Sequence, residues 1–256
     1  MNSITLYNGK VKITFADIGH KYLVNGKTPL SVTTITGVID KSFILKLWAV
    51  KKMREHLFEN INILTSSIDE DEIRELIMIA SKRHTQFLKE AGGIGTIVHA
   101  WIEEFVKSNI TERKELQLPE DPNVLNGVIA FMKWVNEHNV KFIASEKITY
   151  SKKYNYVGKL DAIAIVDGVA RIVDFKTSNG IYDEMGLQLS AYRNSEEEEG
   201  SVIKKLGIKE LGHGMIVRIG KDTPDFEIRE FTEHKKDIKA FLGALALKKR
   251  LEELKK

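Results

Sequence analysis

Asp161 and Asp174 sit in the stretch GKLDAIAIVDGVARIVDFKTS, and Lys176 follows the second of them by two positions. Asp167-Gly168, between the apolar runs AIAIV and VARIV, is the strongest short-range signal for a two-residue β-hairpin, because both central residues take φ > 0. With that turn Val166 faces Val169, and counting outward sets Asp161 opposite Asp174. Opposed residues share a face with Cβ atoms roughly 4.5–5.5 Å apart. Two carboxylates about 5 Å apart repel by roughly 3 kcal/mol at an effective dielectric of about 20. Ile163, Ile165, Ala170 and Ile172 occupy the same face, so it is expected to look inward. A bulge that slips the register, or a proton on one aspartate, would relieve the repulsion. A divalent cation would instead turn it into ligation. Hard cations such as Mg²⁺ take oxygen ligands, typically one or two carboxylates plus substrate phosphates. Lys176 points the same way off the strand as Asp174. Two carboxylates beside an ammonium suit metal-assisted hydrolysis of a phosphodiester: the metal activates water, and the lysine positions the nucleophile or stabilises developing charge.

Other positions carry two readings each. Alternation in KFIASEKITY places Glu146 with Phe142, Ala144, Ile148 and Tyr150. An inward carboxylate is costly unless paired or bound, so Glu146 is either salt-bridged or part of a metal shell. His99 and Glu103 are i and i+4 on a helix and share a face, with Gly95 one turn earlier. His99 reads as a hydrogen-bonded boundary residue or as a ligand. His20, His56, His84, His138, His213 and His234 are expected to be surface or structural. Gln188 and Tyr192, again i and i+4, offer hydrogen bonds suited to phosphate or to a site partner, or simply to water. SEEEEG at 195–200 is expected as a solvated loop on a face that nucleic acid avoids. Lys41, Lys46, Lys51, Lys52 and Arg54 surround Trp48, as in a groove that holds a flexible strand; the alternative is a core tryptophan among solvated lysines.

These residues need a sizeable scaffold, and 256 residues with 43% hydrophobic content supply one. Asn-Gly turns punctuate short strands in ITLYNGKVKITF and HKYLVNGKTPLSVTTI. Helices follow over about 42–58, with Leu45, Trp48, Ala49 and Leu57 on one side, and over about 69–91, the second opening on DEDE and broken by Gly92, Gly93 and Gly95. GTIVHAWIEEFV and LNGVIAFMKWVNEH give two more helices. Strands then come in KFIASEKITY and the hairpin, a helix around MGLQLSAY, strands in GHGMIVRI and DFEIREF, and a closing helix from about Thr232. The expectation is an α/β (α+β) fold, a mixed sheet flanked by helices, with an αβββαβ core after an N-terminal β/helical lobe over 1–90. The absence of cysteine excludes disulfides, thiolate zinc sites and iron–sulfur clusters. No apolar leader or membrane-length run is present, so a cytoplasmic protein without membrane partners is expected. A net charge of +3 does not itself announce nucleic-acid binding.

Taken in order, GTIVH at 95–99, Glu146, GKLD at 158–161, DFK at 174–176 and QLSAY at 188–192 resemble the RecB-like nucleases of the PD-(D/E)XK superfamily. SVTTI and the helix bearing Trp48 are similar to the front part of phage-type and mitochondrial genome maintenance exonucleases. The resemblance implies a restriction-endonuclease-like core over 91–256, with His99, Asp161, Asp174 and the Phe175 carbonyl ligating Mg²⁺ or Mn²⁺. It implies Lys176 as the catalytic lysine, and Gln188 and Tyr192 as support for the site or contacts to the DNA backbone. Glu103 and Glu146 fall where the family is often acidic. The implied activity is a metal-dependent deoxyribonuclease, foremost an exonuclease on DNA ends in recombination, repair or phage DNA processing. Lys51 and Lys52 would then roof a DNA channel. No GxxxxGK[ST] loop is present, so unwinding would need a helicase or recombination partner. A non-catalytic DNA-binding protein on the same fold and an endonuclease are the alternatives.

Overall fold

The computed structural model describes residues 2–16, 21–66, 69–111 and 116–255; His20 lies outside them. Strands β1 (Asn2–Leu6) and β2 (Val11–Ala16) join across Asn8 and Gly9, whose φ values of 54° and 83° are those an Asn-Gly turn permits. Strand β3 (Lys21–Val24) completes an antiparallel sheet, ordered β1-β2-β3. Its buried side, with Val11, Ile13, Phe15, Tyr22 and Val24, packs against Ile148, Tyr150 and Val157. After β4 (Leu30–Ser31) the chain departs from the strand expected for SVTTI and forms the short helix α1 (Val32–Thr36). The Ser31 hydroxyl accepts from the Thr34 N–H at 3.1 Å, an N-cap that outweighs the strand preference of the β-branched residues.

Helices α2 (Ser42–Glu59), α3 (Ile61–Ser66) and α4 (Glu70–Ile110) follow. The break expected at Gly92, Gly93 and Gly95 is absent, and α4 runs through all three. Each glycine costs only about 1 kcal/mol against alanine and removes no backbone donor, so a cooperative helix tolerates it. Contacts divide the chain into two compact units, residues 39–97 and residues 1–38 with 98–256. In the 39–97 unit no α2 residue is buried, so the apolar side expected there does not face a core; Leu45 is exposed and Trp48 half-buried.

In the larger unit, α5 (Pro122–Glu137) starts where Asp121 accepts from the Asn123 and Val124 N–H groups, with proline at the first helical position. Then come β5 (Val140–Ser151), β6 (Tyr156–Val166), β7 (Val169–Lys176), α6 (Met185–Glu199), α7 (Ser201–Leu206), β8 (Gly214–Ile219), β9 (Phe226–Phe231) and α8 (His234–Glu253). The result is a mixed α/β fold around a mixed sheet of order β4-β6-β7-β8-β9, with β5 also on β6. Pairs β4–β6 and β7–β8 are parallel and the others antiparallel. The hairpin has the register expected from its turn, from Val166–Val169 out to Ala162–Val173. Asp167 and Gly168 take φ of 51° and 83°, and Asp167 accepts from the Asn139 N–H at 3.0 Å and meets His138 Nδ1 at 2.7 Å.

Both faces of the sheet are covered. Ile163, Ile172 and Ile216 pack with Leu189 and Tyr192 of α6 and Phe241 of α8. On the other face Phe175 meets the rings of Phe131 and Trp134 of α5 at 5.3 and 5.6 Å. SEEEEG is not the solvated loop expected: it closes α6, with Ser195 and Glu196 0% and 1% exposed. Lys147, Thr149 and Ser151 alternate along β5 and meet Glu196, Ser195 and Glu198 in turn. A charge count cannot register that matching row. Among the described residues no helix is long and apolar enough to cross a membrane.

Candidate metal centre

Strand β7 ends with Asp174, Phe175 and Lys176, and β6 carries Asp161 one step beyond the last hairpin pair. The Phe175 N–H donates to Asp161 Oδ2 at 2.8 Å, which ties the two strands at that point. Helix α6 crosses the same face, and its i, i+4 spacing sets Gln188 over Asp174: Gln188 Nε2 donates to Asp174 Oδ1 at 3.2 Å and to the Tyr192 hydroxyl at 3.1 Å. Gly158 makes this approach possible, since a Cβ there would stand 2.5 Å from the Tyr192 ring. His99 of α4 enters from the side, with Nδ1 3.9 Å from Asp161 Oδ2. Together His99, Asp161, Asp174, Lys176, Gln188 and Tyr192 line one cavity of about 290 Å³.

Electrostatics distinguish the two aspartates. Burial, then the charge of Asp174, pushes the Asp161 carboxyl up to about 8. Lys176 Nζ lies 2.5 Å from Asp174 Oδ2. Burial works against the lysine's charge, but Asp174 and Asp161 outweigh it and hold its pKa above the ordinary value. Asp174 is 1% exposed, and its Oδ2 receives no hydrogen bond of acceptable angle despite the nearby ammonium. Burial and the Lys176 charge hold His99 below the usual histidine range, which favours the neutral ring that a metal needs.

This donor set fits a hard divalent cation. Two carboxylates face one cavity, the Asp174 oxygen beside Lys176 receives no hydrogen bond of acceptable angle, and burial raises the Asp161 carboxyl. Among the described residues no group of three or more His, Asp or Glu side chains is placed to hold a metal ion. Mg²⁺ is commonly held with fewer, by one or two carboxylates with water and phosphate oxygens completing the shell.

No family model matches this chain, and no curated protein does.

Glu103 and Glu146 are outside the cavity that Asp161 and Asp174 share, although the Glu146 charge also raises the Asp161 carboxyl. They line a neighbouring cavity of about 540 Å³, where Glu146 pairs with Lys159 and Glu103 with Lys107. The alternation expected around Glu146 is interrupted. Phe142 packs with the α5 rings, whereas Ile148 and Tyr150 pack with the N-terminal sheet. The β5–β6 register shifts between Phe142 and Ala144, and Glu146 itself takes φ 48°, so simple alternation fails across the segment. Burial raises the Glu146 carboxyl, against the pull of Lys159. Lys51 and Lys52 belong to the 39–97 unit, where both lie beside Glu55, at 3.7 and 2.8 Å, and Lys52 also sits 4.4 Å over the Phe87 ring.

Sequence reasoning missed Tyr22, Ser31, Thr33 and Lys159, which complete the wall of the first cavity. Ser31 and Thr33 arrive through the pairing of β4 with β6, and Tyr22 comes from β3 of the N-terminal sheet; neither contact has a local signal. Lys159 was visible in GKLD itself, on the strand that carries Asp161, and it lines both cavities.

Proposed function

We propose that the protein is a Mg²⁺- or Mn²⁺-dependent deoxyribonuclease of the RecB-like group in the PD-(D/E)XK superfamily, built on a restriction-endonuclease-like core and acting on DNA ends as an exonuclease. The observation that carries this reading is the convergence of Asp161, Asp174 and Lys176 at the end of one hairpin, in a single cavity with His99, Gln188 and Tyr192. Asp161 and Asp174 would hold the cation, with His99 and the Phe175 carbonyl as further ligands. When bound, the cation supplies Lewis acidity toward a phosphodiester oxygen. The chain's own groups do the remaining work. The Phe175 N–H fixes one oxygen of Asp161, and Gln188, itself anchored on Tyr192, fixes one oxygen of Asp174. Lys176 places a positive charge at the pair, where it orients a water for attack and stabilises negative charge developing on the phosphate. The lysines around Trp48 form the channel for a single strand in this reading, in a cytoplasmic setting of recombination, repair or phage DNA processing.

The test is incubation of the purified protein with end-labelled linear duplex, single-stranded and covalently closed circular DNA. Cleavage is expected with Mg²⁺ or Mn²⁺, to stop on chelation and to spare closed circles. Lys176→Ala should lose most turnover while DNA and metal binding persist, because the lysine acts on the transition state more than on the ground state. Undiminished cleavage in chelator, or in both Asp161→Asn and Asp174→Asn, would refute the mechanism. Rapid nicking of circles would replace the exonuclease with an endonuclease.

A further inference from the structure

An apolar stripe runs along one side of α2, within the 39–97 unit. Phe43, Leu47, Val50 and Phe58 are 69, 55, 64 and 65% exposed. At about 100° per residue these positions fall within about 80° of one another, so they share one face. Trp48 and Lys52 lie on the other side of the helix, where they meet the Phe87 ring of α4 at 6.3 and 4.4 Å. An ordinary surface helix turns its apolar face toward its neighbours. In α2 two phenylalanines, a leucine and a valine point away from α4 instead. On α4, Ile77 and Met78 are exposed as well. Those six side chains open roughly 600 Å² of apolar surface, the upper limit of what a monomer commonly leaves bare.

Charge in the same unit is segregated. Residues 41–59 hold five lysines and arginines against two glutamates, and residues 69–75 hold five carboxylates against one arginine. The acidic run opens α4 and leads directly into Ile77 and Met78. One unit therefore presents an apolar stripe edged by cations and an apolar patch preceded by carboxylates. Such a surface is complementary to itself. In a two-fold pair each copy offers both halves, so the cations of α2 meet the carboxylates of the other copy twice over. An anionic membrane or a nucleic acid would attract α2 but be repelled by 69–75. A two-fold contact would bury about 1,200 Å² of apolar surface in all, where stable interfaces begin.

We propose that this surface docks a second copy of the chain, with α2 of each protomer lying across the start of α4 of the other. The dimer needs neither DNA nor a metal ion, so it does not rest on the nuclease reading.

Sedimentation equilibrium of the full chain in chelator, with thermal melts over a range of protein concentrations, tests this directly. A dimer is expected at micromolar concentration, with a Tm that rises with concentration. Val50→Glu sets a carboxylate in the apolar contact. It should raise the dissociation constant at least about a hundredfold and abolish the concentration dependence of Tm. Because Val50 is exposed, the far-UV circular dichroism should stay that of wild type. Glu75→Lys, in the acidic half, should weaken the dimer about severalfold. Anionic phosphatidylserine vesicles should leave the protein in solution. A monomer at every concentration, a dimer that survives Val50→Glu, or one indifferent to Glu75→Lys would overturn the interface. So would loss of helix in Val50→Glu, which would set the stripe against the rest of its own chain, or depletion of the wild-type protein by the vesicles.

Discussion

Burial and the charge of Asp174 push the Asp161 carboxyl up to about 8. Its folded pKa therefore lies above the unfolded value of about 4, so its contribution to stability is full below about pH 4 and is lost as pH rises through about 8. In chelator, the melting temperature should carry this loss across that window. Asp161→Asn should flatten it and melt higher than wild type at pH 8. Identical profiles for the two proteins would remove the raised Asp161 carboxyl as the source of the pH dependence. Glu146 calls for a different experiment. Its partner Lys159 faces both cavities, so Glu146→Gln should expose a cation to DNA and Lys159→Ala should remove one. With Ca²⁺ in place of Mg²⁺, anisotropy on a single-stranded oligonucleotide should show the first variant binding a few-fold tighter and the second a few-fold weaker. The slope of log affinity against log salt should change by about 0.7 for each phosphate that a lysine neutralises. If Glu146 were instead a metal ligand, Glu146→Gln would weaken metal-dependent binding, the opposite sign.

Among the elements, α6 approaches β6 closely at Gly158, beside the site. Gly158→Ala would push a methyl group into the buried Tyr192 ring, and through it Gln188 and Asp174. Overpacking of this kind costs about 1–3 kcal/mol, so urea titration should show a loss of that size. If stability is unchanged, the ring is free to move and Gln188 is not rigidly held. Most elements near the site were legible because their signals are local. Asp-Gly fixed a turn, apolar alternation fixed β6 and β7, and i, i+4 spacing put Gln188 beside Tyr192. Where partners come from afar the reading failed. Ser195 and Glu196 looked solvated until β5 supplied Thr149 and Lys147, and Val32–Thr36 looked like a strand until Ser31 capped it. Gly92, Gly93 and Gly95 looked like a stop because a propensity of about 1 kcal/mol each was given the weight of a lost hydrogen bond.

For the whole molecule, the legible part of the site is the part written in one hairpin and one helix. Asp161, Asp174 and Lys176 follow from counting outward from Gly168, whereas Ser31 and Thr33 depend on a parallel pairing between distant segments and Tyr22 on the N-terminal sheet. The alternation around Glu146 could not be counted from the sequence, because a register shift between Phe142 and Ala144 and the φ of 48° at Glu146 both interrupt it. The same hairpin also orders events in time. Strands β6 and β7 are neighbours in the chain, while β8 pairs with β7 only after α6 and α7 have been threaded between them. Hairpins close in roughly 1–10 μs, and longer loops cost more entropy to close. We expect the two carboxylates to be brought together early, before the segment bearing Gln188 packs over them. Refolding should run faster at pH 5 than at pH 8, as a proton removes that repulsion on the way up the barrier. Gly168→Ala, forced to φ 83°, should slow refolding while leaving unfolding nearly unchanged, as read from stopped-flow folding and unfolding limbs. The price of a poised carboxylate pair is then levied on every newly made chain, as a delay in reaching its native state.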